Sequence, residues 1–131
     1  MSFNPGAIIS ASTLTGFAAL AIGGGVETVV SLSGTGVTTL NLASGNVFNL
    51  TLTGDTTLVF TGATVGKACS FALYKSQNST GTRTVTWPTS VKWSGAAPTQ
   101  STAANSVDAY VFESIDGGQN WFGSAVGTNF S

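Results

Sequence analysis

From Val26 onward, apolar and polar side chains alternate in short runs rich in valine, leucine, phenylalanine and threonine, and these runs are broken by glycine and asparagine. A period of two with turn residues at intervals of about ten marks β-strands that expose one face and bury the other. The runs read as strands over 27–33, 37–42, 47–53, 57–61, 67–75, 83–87, 108–114 and 121–126. Between them lie Ser33-Gly34-Thr35-Gly36, Ala43-Ser44-Gly45-Asn46, Gly54-Asp55, Thr61-Gly62, Asn78-Ser79-Thr80-Gly81 and Asp116-Gly117-Gly118. Residues 96–105 offer no large apolar side chain and form a long loop. This succession predicts an all-β fold, specifically an antiparallel, jelly-roll-like β-sandwich over 26–131.

The faces of two of these segments conflict with a tight hairpin. Phe48, Leu50 and Leu52 share one face, and Leu58 and Phe60 share another. A two-residue turn at Gly54-Asp55 would point the two sets opposite ways, because side chains alternate strictly along a strand. A three-residue loop, a bulge or a crossing to a second sheet each repairs the register.

Residues 1–25 differ from the rest. They carry no charged side chain and end in Gly23-Gly24-Gly25. Three consecutive glycines are costly to order, so they read as a hinge. The segment is expected to be an N-terminal arm that attaches through Phe3, Ile8, Ile9, Leu14, Phe17, Leu20 and Ile22. The alternative is that it folds back and completes its own domain's core. Its apolar spacing leaves the secondary structure open, with a short helix near Leu14 to Ile22 as one option. No positive n-region precedes the run, as a secretory signal requires. Ser10, Ser12, Thr13, Thr15 and Gly16 interrupt it too often for a membrane span.

The chemistry available is narrow. The chain has no histidine and one cysteine, so Ser/His/Asp and Cys/His catalysis and an ordinary zinc site are out of reach. Charged residues make up 7% of the chain, and the four cations Lys67, Lys75, Arg83 and Lys92 are scattered. Nucleic acid binding needs a cluster of cations, so it is not expected. Asp108 and Glu113 fall on opposite faces of one strand, which disfavours a glycosidase pair. Trp87, Trp93, Trp121, Tyr74 and Tyr110 are read as core and interface filling, with a sugar-stacking platform as the other reading. The expectation is a non-enzymatic structural or binding protein without metal, cofactor, nucleic-acid or membrane partner. A surface of Thr, Ser, Asn and Gly with a net charge of −1 sets little repulsion against copies of itself, and a homotrimer is expected.

The run Ser114-Ile115-Asp116-Gly117-Gly118-Gln119-Asn120-Trp121 resembles the Asp-box of sialidases and related β-propellers. There the aspartate caps a tight turn, glycine supplies an unusual backbone angle and tryptophan packs beneath the hairpin. Ser114, Asp116, Gly118 and Trp121 are accordingly candidates for a structural turn.

A wider resemblance rests on Gly45-Asn46-Val47-Phe48, Leu52-Thr53-Gly54-Asp55-Thr56-Thr57-Leu58, Arg83-Thr84-Val85-Thr86-Trp87-Pro88, Val91-Lys92-Trp93, Ala97-Pro98, Asp116-Gly117-Gly118 and Trp121-Phe122-Gly123. Together these stretches resemble a small β-module of bacteriophage virion structural proteins, found in tail fibres and in small stand-alone virion proteins. The resemblance implies a virion protein. The single domain with an apolar arm is read as a capsid decoration (cement) protein bound to the major capsid protein or another virion protein. The alternative is a tail-fibre, spike-tip or receptor-binding module.

Overall fold

The computed structural model describes residues 26–131. All of the regular structure there is β: β1 (Val29–Asn41), β2 (Val47–Thr61), β3 (Cys69–Gln77), β4 (Val85–Thr86), β5 (Val91–Trp93), β6 (Val107–Ser114) and β7 (Trp121–Phe130). The strands form a single mixed sheet in the order β1-β2-β3-β6-β7-β5, with β4 on β2. β1, β2 and β3 are parallel neighbours, β4 lies parallel to β2, and β5 lies parallel to β7. Antiparallel pairing is confined to β6 with its two neighbours, β3 and β7. The all-β class predicted from the alternation is what the described residues adopt.

The parallel pairing of β1 with β2 requires a bend. Val29 pairs with Val47 and Asn41 with Thr61, yet only residues 42–46 connect the two strands. A straight strand of 13 residues spans about 40 Å. The connection can reach at most about 22 Å when fully extended. Both strands therefore curl, and the chain winds as a coil whose turns stack through the parallel ladder. The bend falls where the register shifts, between Gly34 and Gly36. Gly36 takes φ +65°, a left-handed conformation that side chains with a Cβ rarely adopt. On β2 the extra residues at the same corner lie around Gly54.

This geometry resolves the conflict of faces. No hairpin forms at Gly54-Asp55; β2 runs through it as one strand of 15 residues. Phe48, Leu50, Leu52, Thr56 and Leu58 all point inward with one unbroken parity. The glycine-rich stretch 33–36 is likewise a corner inside β1. A glycine can absorb a corner without breaking the backbone ladder, so two segments that look separate in the sequence are one strand.

The core follows the coil. Leu40, Phe48, Leu50, Leu52, Leu58 and Leu73 are fully buried and form the mainly aliphatic part of the core. It passes into an aromatic cluster built where β6 joins β3. Phe71 and Phe112 are register partners and stack at 5.0 Å, and Phe60 and Trp121 meet Phe71 edge-on. Outward positions on β1 and β2 carry mainly Ser, Thr and Asn.

Candidate binding surface

Alternation along β3, β6 and β7 builds two unlike faces. The inner face ends in a buried polar node. Lys75 and Asp108 are register partners and form a 3.0 Å ion pair with side chains 1% and 0% exposed. Asp108 Oδ2 also accepts the Ser101 N–H at 2.8 Å and the Tyr110 hydroxyl at 3.2 Å, and Oδ1 accepts the Asn129 N–H at 2.9 Å. Burial works to raise the Asp108 pKa, but the donors from Ser101, Asn129 and Lys75 outweigh it and bring it down to about 2. Burial lowers the Lys75 pKa against the opposing pull of Asp108. Tyr110 is pushed upward by burial and by the neighbouring carboxylate.

The node fastens the loop between β5 and β6. Gln100 accepts from Lys75 Nζ at 3.1 Å and exchanges two 2.8 Å bonds with the backbone of Val85. Gln77 donates to the carbonyls of Ser101 and Arg83 and accepts the Arg83 N–H. The polar atoms of Asp108 and Lys75 are thus committed to partners within the chain, which is the arrangement of a structural clamp. The sequence holds a signal for it: Lys75 shares parity with Phe71 and Leu73, and Asp108 with Tyr110 and Phe112. Charges in the inward register of two strands need a common partner.

The turn residues also come together. The Ser114 hydroxyl donates to Asp116 Oδ1 at 2.9 Å and accepts the Gly118 N–H at 2.8 Å. Asp116 accepts the Asn120 backbone N–H at 3.0 Å and its side-chain amide at 2.8 Å. These bonds from Asn120, then Ser114, hold the Asp116 carboxyl below its ordinary pKa. Gly117 and Gly118 take φ of +71° and +86°. Trp121 is 1% exposed beneath the turn. Ser114→Ala should lower stability by about 1–3 kcal/mol, because it leaves the enclosed Gly118 N–H without an acceptor; urea unfolding followed by tryptophan fluorescence reads this. The arm residues Phe3, Ile8, Ile9, Leu14, Phe17, Leu20 and Ile22 lie outside the described residues, as does the option of a helix there.

Of the aromatic residues, Trp121 and Tyr110 are buried, and Trp87 and Trp93 pack edge-on at 5.3 Å against each other and onto Tyr110 and Phe112. Only Tyr74 of the five stands exposed, on the other face. The other four pack into the core.

The outer face is the candidate binding surface. Tyr74, Val111, Phe122, Val126 and Phe130 are between 42% and 66% exposed on adjoining strands. An open groove of about 520 Å³ crosses this face, with Val47, Ala72, Val111 and Phe122 along it and Glu27 and Glu113 at its sides. It can take apolar side chains. Among the described residues, no three Cys, Asp or Glu side chains converge to hold a metal ion.

Residues 28–111 match the family model described as "Putative phage tail fibre C-terminal domain". The chain belongs to this family. The match makes it a bacteriophage virion structural protein. The match runs from the first coil to the middle of β6, so it takes in the stacked parallel strands and the long loop. It does not support capsid decoration; the tail-fibre alternative fits better. No curated protein and no solved structure matches the chain.

Proposed function

We propose that this chain is a non-enzymatic binding module of a phage tail fibre, exposed on the virion and assembled as a homotrimer. The family match over nearly two thirds of the chain carries the tail-fibre reading. The outer sheet face supports the assembly. Exposed apolar side chains contiguous over several strands mark an interaction surface. On a chain with 7% charged residues, a second copy meets little repulsion there. A closed ring of three copies buries the face on every protomer and leaves none open to further growth. The remaining surface, coated with Thr, Ser and Asn, then faces solvent or a receptor.

Gold-labelled antibody against the protein should mark the tail fibres of intact virions; label spread over the capsid overturns the fibre assignment. For the assembly, wild-type protein should sediment as a trimer at micromolar concentration. Phe122→Asp, which places a charge on an exposed outward position, should shift it to monomers at unchanged secondary structure. A wild-type monomer would refute the trimer.

A further inference from the structure

Three neighbouring strands carry an acid, an aromatic ring and a base in one row. Glu113 of β6 is the register partner of Phe122 of β7, and Phe122 is the register partner of Lys92 of β5. All three are exposed, and each follows a buried residue: Phe112, Trp121 and Val91. Alternation therefore points the three side chains to the outer face. Paired strands stand about 4.8 Å apart, so the backbones of Glu113 and Lys92 lie about 10 Å from each other with the ring between them.

Neither charge has an ionic partner among the described residues, where Lys75–Asp108 is the one ion pair. Residues 1–25 carry no charged side chain, so they supply no such partner either. Unpaired charges cost little in water, but this face is the one that assembly would bury. A charge taken out of water alone opposes association, whereas one that meets its opposite fixes partner and register. The row can meet copies of itself. A rotation that gathers the Phe122 rings about its axis turns the Glu113 end of each copy toward the Lys92 end of the next. Every charge in the row then has a partner and none is left over. The groove adds to the match at the acidic end. Glu27 and Glu113 lie at its sides, so an incoming ammonium meets two carboxylates.

We propose that Glu113 of each copy pairs with Lys92 of the next around a cluster of three Phe122 rings, and that this pair sets the register of the homotrimer. The inference rests on the trimer proposed above and assigns its specificity to two residues. Phe122 supplies the apolar contact, and the two charges select partner and orientation.

Sedimentation of charge variants of the full chain tests this. Glu113→Lys and Lys92→Glu each set like charges against one another at every contact. Each should raise the concentration of half-dissociation at least about 100-fold. Glu113→Lys/Lys92→Glu on one chain exchanges the two ends and should return it to within about tenfold of the wild type. An equimolar mixture of the two single variants should recover only in part, because a ring of three must place two like copies side by side. Far-ultraviolet circular dichroism should be unchanged throughout. Should a reversal unfold the chain, the neutral Glu113→Gln and Lys92→Gln should each weaken the trimer at least about fivefold. A wild-type monomer overturns the trimer itself. A wild-type trimer that tolerates both reversals, or that the exchanged chain does not restore, overturns the pair alone. Full recovery in the mixture, which an even-membered ring permits, overturns the three-fold arrangement.

Discussion

Asp108→Ala is expected to be among the most damaging single substitutions in this protein, costing about 3–5 kcal/mol of stability. The carboxylate is 0% exposed and holds four donors at once: Lys75, Ser101, Tyr110 and Asn129. Removing it strands a buried ammonium and two backbone N–H groups and frees the loop between β5 and β6. Lys75→Met should cost less, because Asp108 would keep three of its donors. The order of the two variants in urea unfolding at pH 7 checks the idea; a larger loss for Lys75→Met would show that the ion pair, and not the clamp on the loop, dominates. The same site sets a pH dependence. The folded-state pKa of about 2 lies below the ordinary 3.8, so the carboxylate contributes fully above about pH 4. That contribution is lost as pH falls through about 2. Wild-type stability should therefore drop between about pH 4 and pH 2, and Asp108→Asn should flatten the drop.

Trp121→Ala should cost about 3–5 kcal/mol, the scale for removing a buried large aromatic side chain. The ring is 1% exposed, meets Phe71 at 5.2 Å and Phe60 at 5.7 Å, and lies under Gly118. It thus joins the β6–β7 turn to the core laid down by β2 and β3. Trp121→Phe should recover a substantial part of the loss, since a smaller ring keeps the contact to Phe71. Calorimetric unfolding of both variants reads this. Near-wild-type stability for Trp121→Ala would mean that the turn holds the hairpin without its anchor.

The inward residues are legible in the amino-acid sequence. Phe48, Leu50, Leu52 and Leu58 are placed by alternation, because a strand shows its buried face every second residue. The Ser114–Trp121 turn is legible for a similar reason: its aspartate, glycines and tryptophan act on near neighbours in the chain. The Lys75–Asp108 clamp is legible only as two charges in inward register; their pairing is not, because the two strands are remote in sequence and meet only through the register of β3 on β6.

The class of structure, and the inward parity of the strands that alternate cleanly, follow from the order of residues. Alternation, β-branched side chains and scarce charge leave a β-sheet protein as the outcome. How successive segments pair is settled by packing across the whole fold. Local alternation is identical in a hairpin and in a stacked coil, and a glycine corner serves either. The choice falls to whether the inward residues of one turn, Leu32 and Leu40, find more complete burial beside Leu50 and Phe60 in parallel register. Those contacts reach across a whole turn of the coil, and a preference that acts between chain neighbours cannot encode them.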